Sequence, residues 1–452
     1  MLNPLNIIKS FLSGHYRTVN VTKNIILSLI FKGISILIGL FVVPILLRYL
    51  GTEQYGIWLT INSVLAWFLM FDLGIGNGLR NKLTESLAGN DLNAGCIYVS
   101  SSYLFLSIIV LILFVVFIIL FPFINWTSVF NAPIKLQPEL NALIFVVFVF
   151  FCFQFVLKLI GVILTADQKP AMNDLIGVLG SAIAVLIVFF ISEFVRKGSI
   201  LLVGVFFSSS PVIIFLAASF ILFSKRYKKL RPSVRWFKIS YIKDMFTLSF
   251  RFFLLQIIGV VVFSTSNIII IQYLGPSAVT VYSIAYGYMS VTLMIFEIIR
   301  NPLWSAYTES YHKNDLAWIK RMTKYLTMVW VILTLCGILM IVVSQFIISV
   351  WVGKKIHVPM SVIILLGIYF SFVNWTNIFA TLLSGVGKIK FQFYYAVVVG
   401  LLFIPLSILL CSHYGLIGMI LSMIISMLPG TILGPIQYFK IVNKTDKGIW
   451  AE

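Results

Sequence analysis

The chain has 452 residues, of which 60% are hydrophobic and only 10% charged, with a mean hydropathy of +1.06 and a net charge of +19. A water-soluble protein carries about a quarter charged residues, so water is excluded as the solvent for most of this surface. The basic balance fits the retention of Lys and Arg on the cytoplasmic side of a membrane, with part left over for an anionic substrate, and no nucleic-acid partner is needed to explain it.

The first twenty residues, MLNPLNIIKSFLSGHYRTVN, lack the long apolar core and small-residue cleavage site of a signal peptide. They read as a short interfacial helix, and the first true span acts as the insertion signal. Apolar runs that match the hydrocarbon thickness then follow at 24–48, 55–78, 95–124, 139–165, 171–193, 199–224, 245–274, 278–302, 323–351, 359–384, 391–412 and 415–439. The runs are continuous rather than alternating, which reads as helix and not as barrel strand. A helix also satisfies its own backbone groups in lipid. The expectation is an all-α membrane protein of about twelve transmembrane helices. Pro44, Pro211 and Pro405 fall inside spans, as membrane helices tolerate. Trp351, Gly353, Lys354, Lys355 and Pro359 mark the break between the ninth and tenth.

The densest basic run, KRYKKLRPSVRWFK, lies at the midpoint. It divides the chain into a six-helix lobe over 1–224, a basic cytoplasmic linker over 225–244 and a second six-helix lobe over 245–452. The linker reads as a solvated loop facing lipid headgroups, with recruitment of an anionic lipid substrate as the alternative. With a cytoplasmic N-terminus, the inside loops and termini hold Lys9, Arg17, Lys23, Arg80, Lys82, Lys169, the 225–243 segment, Lys313, Lys320, Arg321, Lys324, Lys388, Lys390, Lys440, Lys444 and Lys447. The opposite loops hold only Arg48, Lys135, Arg196, Lys197, Lys354 and Lys355. That asymmetry places both termini in the cytoplasm. The outside loops are short, the longest running from Pro122 to Pro138.

The halves repeat. Tyr49-Leu50-Gly51 corresponds to Tyr273-Leu274-Gly275, and LRNKLTES from Leu79 corresponds to LWSAYTES from Leu303. LTADQK (Leu164–Lys169) resembles LSGVGK (Leu383–Lys388), after the fourth helix of each half. An even number of spans per half gives a parallel repeat with its axis along the membrane normal. Such a repeat places a cavity between two lobes that rock to alternate access.

Ionisable groups inside spans cost several kcal/mol in lipid, so they normally face a cavity and have a use. The candidates are Lys32, Asp72, Lys158, Arg251, Glu297 and Arg300. Lys32 lies about nine residues from the cytoplasmic end, roughly 13 Å deep by helical rise. All six occupy the cytoplasmic half. Lys32, Lys158, Arg251 and Arg300 suit a phosphate-bearing substrate, Arg through bidentate hydrogen bonds and Lys as a point charge. Asp72 and Glu297 serve as counter-ions or protonatable coupling groups. The bland readings stand beside these: Glu297 pairs with Arg300 on one helix face, and Lys158, Arg251 and Arg300 snorkel to headgroups. Tyr282, Tyr286, Tyr288, Trp67 and Trp375 are either packing residues or stacking faces for sugars. Gly74, Gly76 and Gly78 fit no nucleotide loop and read as close helix packing. Cys96, Cys152, Cys336 and Cys411 have no paired spacing and read as small hydrophobes. The sequence has no HExxH, Walker A, GxSxG, CxxC or DxD motif, so it reads as a carrier rather than an enzyme, with no metal and no cofactor. Energy then comes from a gradient or from the substrate's own disequilibrium, with proton or sodium coupling open.

The segment Gly51–Glu85, with its RYLG-x-x-x-YG-x-W start and Asp-Leu-Gly-x-Gly-x-Gly-x-Arg-Asn end, resembles the Wzx-type O-antigen flippases. These belong to the polysaccharide-transporter branch of the multidrug/oligosaccharidyl-lipid/polysaccharide exporter superfamily. The resemblance implies a bacterial inner-membrane carrier that flips an undecaprenyl-diphosphate-linked glycan unit to the periplasmic face. It implies a MATE-like V-shaped fold of two pseudo-symmetric lobes with a cationic central cavity. It carries cavity roles onto Lys32, Asp72, Lys158, Arg251, Glu297 and Arg300, in a monomer that works beside a polysaccharide polymerase and a chain-length regulator. The rival readings are a multidrug antiporter of the same fold, an O-antigen polymerase or ligase, and a channel or scaffold. Net basic spans argue against a carrier for organic cations, and short external loops against a polymerase.

Overall fold

The computed structural model describes residues 16–70, 75–195, 198–245, 265–300, 303–388 and 390–450. Among them there is no strand. The helices are α1 (Tyr16–Met70), α2 (Ile75–Ala88), α3 (Leu92–Leu120), α4 (Gln137–Leu157), α5 (Leu159–Ala166), α6 (Pro170–Phe194), α7 (Ile200–Ser224), α8 (Thr265–Leu274), α9 (Pro276–Met289), α10 (Val291–Arg300), α11 (Leu303–His312), α12 (Leu316–Val352), α13 (Met360–Val386) and α14 (Lys390–Val442). Eight stretches are long and apolar enough to cross a membrane singly, and α9 with α10 passes the same test as a pair bent by 42°. The helix α1 passes through Gly51 (φ 75°, ψ 176°) and α14 through Gly415 (φ 59°, ψ −139°), so each is two helices joined at a non-helical glycine. The result is an all-α membrane protein consistent with the expected plan of about twelve spans. The seventh expected span reaches the described residues only at α8. Most of the expected N-terminal interfacial helix, residues 1–15, lies outside them.

The repeat has a backbone counterpart. Gly51 and Gly275 share one conformation, with φ of 75° and 85° and ψ of 176° and 170°, a region open essentially to glycine alone. Gln168 (φ 59°) and Gly387 (φ 79°) are both left-handed, and Lys169 and Lys388 donate their N–H to Leu164 and Leu383 at 2.8 and 3.0 Å. A further match is Asn90-Asp91-Leu92 with Asn314-Asp315-Leu316. Asn90 and Asn314 have φ of 55° and 56°. Asp91 and Asp315 then cap α3 and α12 by accepting the N–H of Ala94 and Trp318, each at 2.9 Å.

The chain forms two compact units, one of Met1–Gly51 with Leu65–Gln256 and one of Thr52–Val64 with Ile257–Glu452. In the first, α4 and α6 pack on α7, and α2 packs on α3 and α5. The side chains of Leu79, Leu106, Phe148, Phe155 and Leu164 fill the space between them. In the second, α9, α11, α12 and α14 all pack on α13, around Phe296, Tyr307, Leu326, Ile378 and Leu382. The 52–64 piece seats on the start of α9. The Thr280 hydroxyl donates to the Thr52 carbonyl at 2.6 Å, and a Cβ at Gly56 would overlap the Pro276 carbonyl. Tyr55 and Trp58 on this piece are buried. The family-like glycines Gly51 and Gly56 are thus explained by backbone geometry, one by its φ and the other by close approach.

Candidate functional site

In the first unit Lys32 lies midway along the 16–50 part of α1 and is exposed. A lysine exposed within an apolar span is costly unless it meets water. One turn earlier, Ser28 donates its hydroxyl to the Asp174 carboxylate on α6. Ser28 and Lys32 are four residues apart and share a face, so α1 carries a polar strip in which Asp174 takes part. Asp174 escaped the sequence reading. Its signal was present, as an acidic residue inside the expected 171–193 span, the same criterion that selected Asp72. Lys158 is half-buried at the short break between α4 and α5, with its Nζ 4.5 Å from the centre of the Phe155 ring. Asp72 and Arg251 lie outside the described residues.

In the second unit Glu297 and Arg300 close the last turn of α10. Arg300 Nη2 donates to both Glu297 carboxylate oxygens at 2.6 and 2.5 Å, and Nη1 donates to Thr381 Oγ1 on α13 at 2.8 Å. The guanidinium is drawn inward, its side chain only 15% exposed, and its Nε has no partner. Tyr282, Tyr288 and Tyr369 are buried. Trp330 and Trp375 pack with ring centres 4.8 Å apart, and each indole N–H donates to a backbone carbonyl. These rings are engaged in packing. The side chain of Trp67 lies outside the described set, whereas Gly76 and Gly78 are buried in α2.

Outside the spans, two lysines of the repeated turn are paired with carboxylates. Lys169 pairs with Asp167 at 2.9 Å, and Asp167 also accepts from Arg226 and from the Tyr227 hydroxyl at 2.7 Å. Lys388 pairs with Asp446. Burial pushes the Lys388 ammonium down, but the bonds to Asp446 and Tyr311 outweigh it and leave it above the ordinary lysine value. Among the described residues no three His, Cys, Asp or Glu side chains group as metal ligands. The polar groups can bind, pair and exchange protons.

Residues 21–301, more than half of the chain, match the polysaccharide biosynthesis protein family. The chain belongs to that family. It is similar to a family relative provisionally named O-antigen export protein, from Yersinia pseudotuberculosis, with 24% identity over 401 residues, 87% of this chain and 90% of the relative. A second, provisionally named O-antigen transporter of Salmonella typhi, is 24% identical over 426 residues, 91% of this chain and 94% of the other. Among solved structures, this member of the polysaccharide biosynthesis family resembles an inward-facing multidrug resistance MATE family transporter of the MOP superfamily. The TM-score is 0.74 and the identity 16%, over 91% of this chain and 96% of that one. A MOP superfamily transporter from Pyrococcus furiosus matches with a TM-score of 0.62 at 13% identity, over 95% and 98%. At such identities the likeness speaks to the fold alone, and the fold is that of MATE-type transporters.

Proposed function

We propose that this chain is a flippase for lipid-linked oligosaccharide, moving undecaprenyl-diphosphate-linked O-antigen or similar repeat units from the cytoplasmic to the periplasmic leaflet by alternating access. The observation that carries this is the match to O-antigen export relatives over about nine tenths of both partners. The physics agrees. A diphosphate crossing bare hydrocarbon meets a prohibitive desolvation cost, whereas the lipid tail can remain in the bilayer throughout. The protein need supply water, fixed positive charge and two alternating openings, and no covalent chemistry. Lys32 and Lys158 contact the diphosphate, with Arg251 in the same role. Arg300 serves as a substrate cation whose charge Glu297 tempers, and Asp72 and Glu297 act as counter-ions or coupling groups. The chain works in the bacterial inner membrane as a monomer with both termini cytoplasmic, divided at the basic 225–244 linker. A polymerase and a chain-length regulator take over its product. Drive comes from a proton or sodium gradient.

Deleting the gene tests this reading. The expected phenotype is loss of surface polysaccharide, with single lipid-linked units held on the cytoplasmic face. Single units displayed on the periplasmic face would point to a polymerase defect and refute it. In a complemented strain, Lys32→Ala removes one charge-assisted phosphate contact, about 1.5 kcal/mol, and export falls roughly tenfold. Lys32→Arg keeps the charge and falls less. Normal export from Lys32→Ala and Lys158→Ala together would remove this site.

A further inference from the structure

The chain between α7 and residue 245 is folded, not slack. Two adjacent serines of α3 pin it: Ser233 N–H donates to Ser100 Oγ at 3.2 Å, and Lys238 N–H donates to Ser101 Oγ at 3.0 Å. Tyr227, Leu230 and Ile242 are buried beneath it. Burial pushes the Tyr227 phenol up and its bond to Asp167 adds in the same direction, so the hydroxyl remains a donor and the first turn stays anchored.

The outer face has a different composition. Val234, Ile239 and Trp236 are 73%, 54% and 43% exposed, and Arg231, Arg235 and Lys238 stand exposed among them. Arg226 shares the Asp167 carboxylate with Lys169, whereas Arg231, Arg235 and Lys238 make no salt bridge among the described residues, and Lys238 Nζ lies 5.9 Å from the centre of the Tyr241 ring. Water is a poor partner for three apolar side chains held outward by a fixed backbone. A neutral lipid surface would leave the cations uncompensated. Interfacial segments bury apolar side chains at the headgroup boundary and bind more strongly with each nearby Lys or Arg when the lipid is anionic.

We propose that residues 231–239 form a docking site for anionic glycerophospholipid. Trp236, Val234 and Ile239 enter the headgroup–acyl boundary, and Arg231, Arg235 and Lys238 hold the lipid phosphates. The proposal is argued from residues 231–239 alone and draws on none of Lys32, Lys158, Arg251 or Arg300.

The test uses the full chain in liposomes, with the Trp236 signal taken as the emission difference between wild type and Trp236→Phe. Acyl chains brominated near the headgroup are placed either on phosphatidylglycerol or on phosphatidylcholine at the same mole fraction. The expected result is about threefold stronger quenching by the brominated phosphatidylglycerol at low salt, weakening in molar salt as screening removes the preference. The preference should vanish in Arg231→Gln/Arg235→Gln/Lys238→Gln, whose side chains are all exposed. Equal quenching by both lipids, or none by either, overturns the proposal. The salt series on wild type decides the matter even if the triple variant fails to fold.

Discussion

Arg300 shows what a charge inside a span needs. Glu297 takes its Nη2 twice, Thr381 takes Nη1, and Nε is left over in a buried setting. Removing the carboxylate leaves a buried cation uncompensated, so Glu297→Ala should cost about 3 kcal/mol. Glu297→Ala/Arg300→Met, which removes both charges, should recover most of that loss. Thermal unfolding of the three purified proteins in one detergent checks both. Equal losses in single and double variants would show that the stranded Arg300 charge is not the source of the cost. The sequence placed Glu297 and Arg300 on one helix face from their spacing alone. It gave no sign of Thr381, because that contact joins residues 81 apart in the chain. Asp174 is legible as an acidic residue inside the expected 171–193 span. Its partner Ser28 was not visible, since a neutral hydroxyl in an apolar run carries no charge signal.

The helices divide into readable and unreadable parts for a physical reason. Their ends are marked by residues with restricted backbones, and the same marks recur in both halves. Gly51 matches Gly275, Gln168 matches Gly387, and the capping Asp91 matches Asp315. Their faces are not marked, because a helix apolar all round looks alike toward lipid, core or water. For that reason the sequence marks apolar spans yet does not say whether Lys158 points outward or lies half-buried beside Phe155. The glycine assignments are testable. Gly51→Ala and Gly275→Ala force a side chain into a glycine-only region and should each cost about 1–3 kcal/mol. Gly56→Ala should be at least as damaging, because the obstruction is the Pro276 backbone. Gly33→Ala, in regular helix with open space around the added methyl, should be neutral or slightly stabilising. Melting temperatures in detergent rank the four, and a Gly33→Ala loss as large as the others would discredit the argument.

For the whole molecule, composition excluded water as the main solvent, and the repeat indicated two related halves. Two compact units are present, one mostly early in the chain and one mostly late. The stretch Thr52–Val64 belongs with the second unit although it lies early in the chain. Composition and hydropathy carry no trace of this, since it depends on Gly56 meeting Pro276 and Thr52 meeting Thr280 across more than two hundred residues. Cargo is the property least written in the fold, because MATE-type structures at 16% identity share the architecture and constrain no substrate. Reconstitution decides it. Purified protein in liposomes loaded with undecaprenyl-diphosphate-linked oligosaccharide should expose inner-leaflet sugar to an external glycosidase faster than protein-free liposomes do, and Lys32→Ala should slow that exposure roughly tenfold. Exposure no faster than in protein-free liposomes, under an imposed proton or sodium gradient of either sign, would contradict the assignment as a flippase.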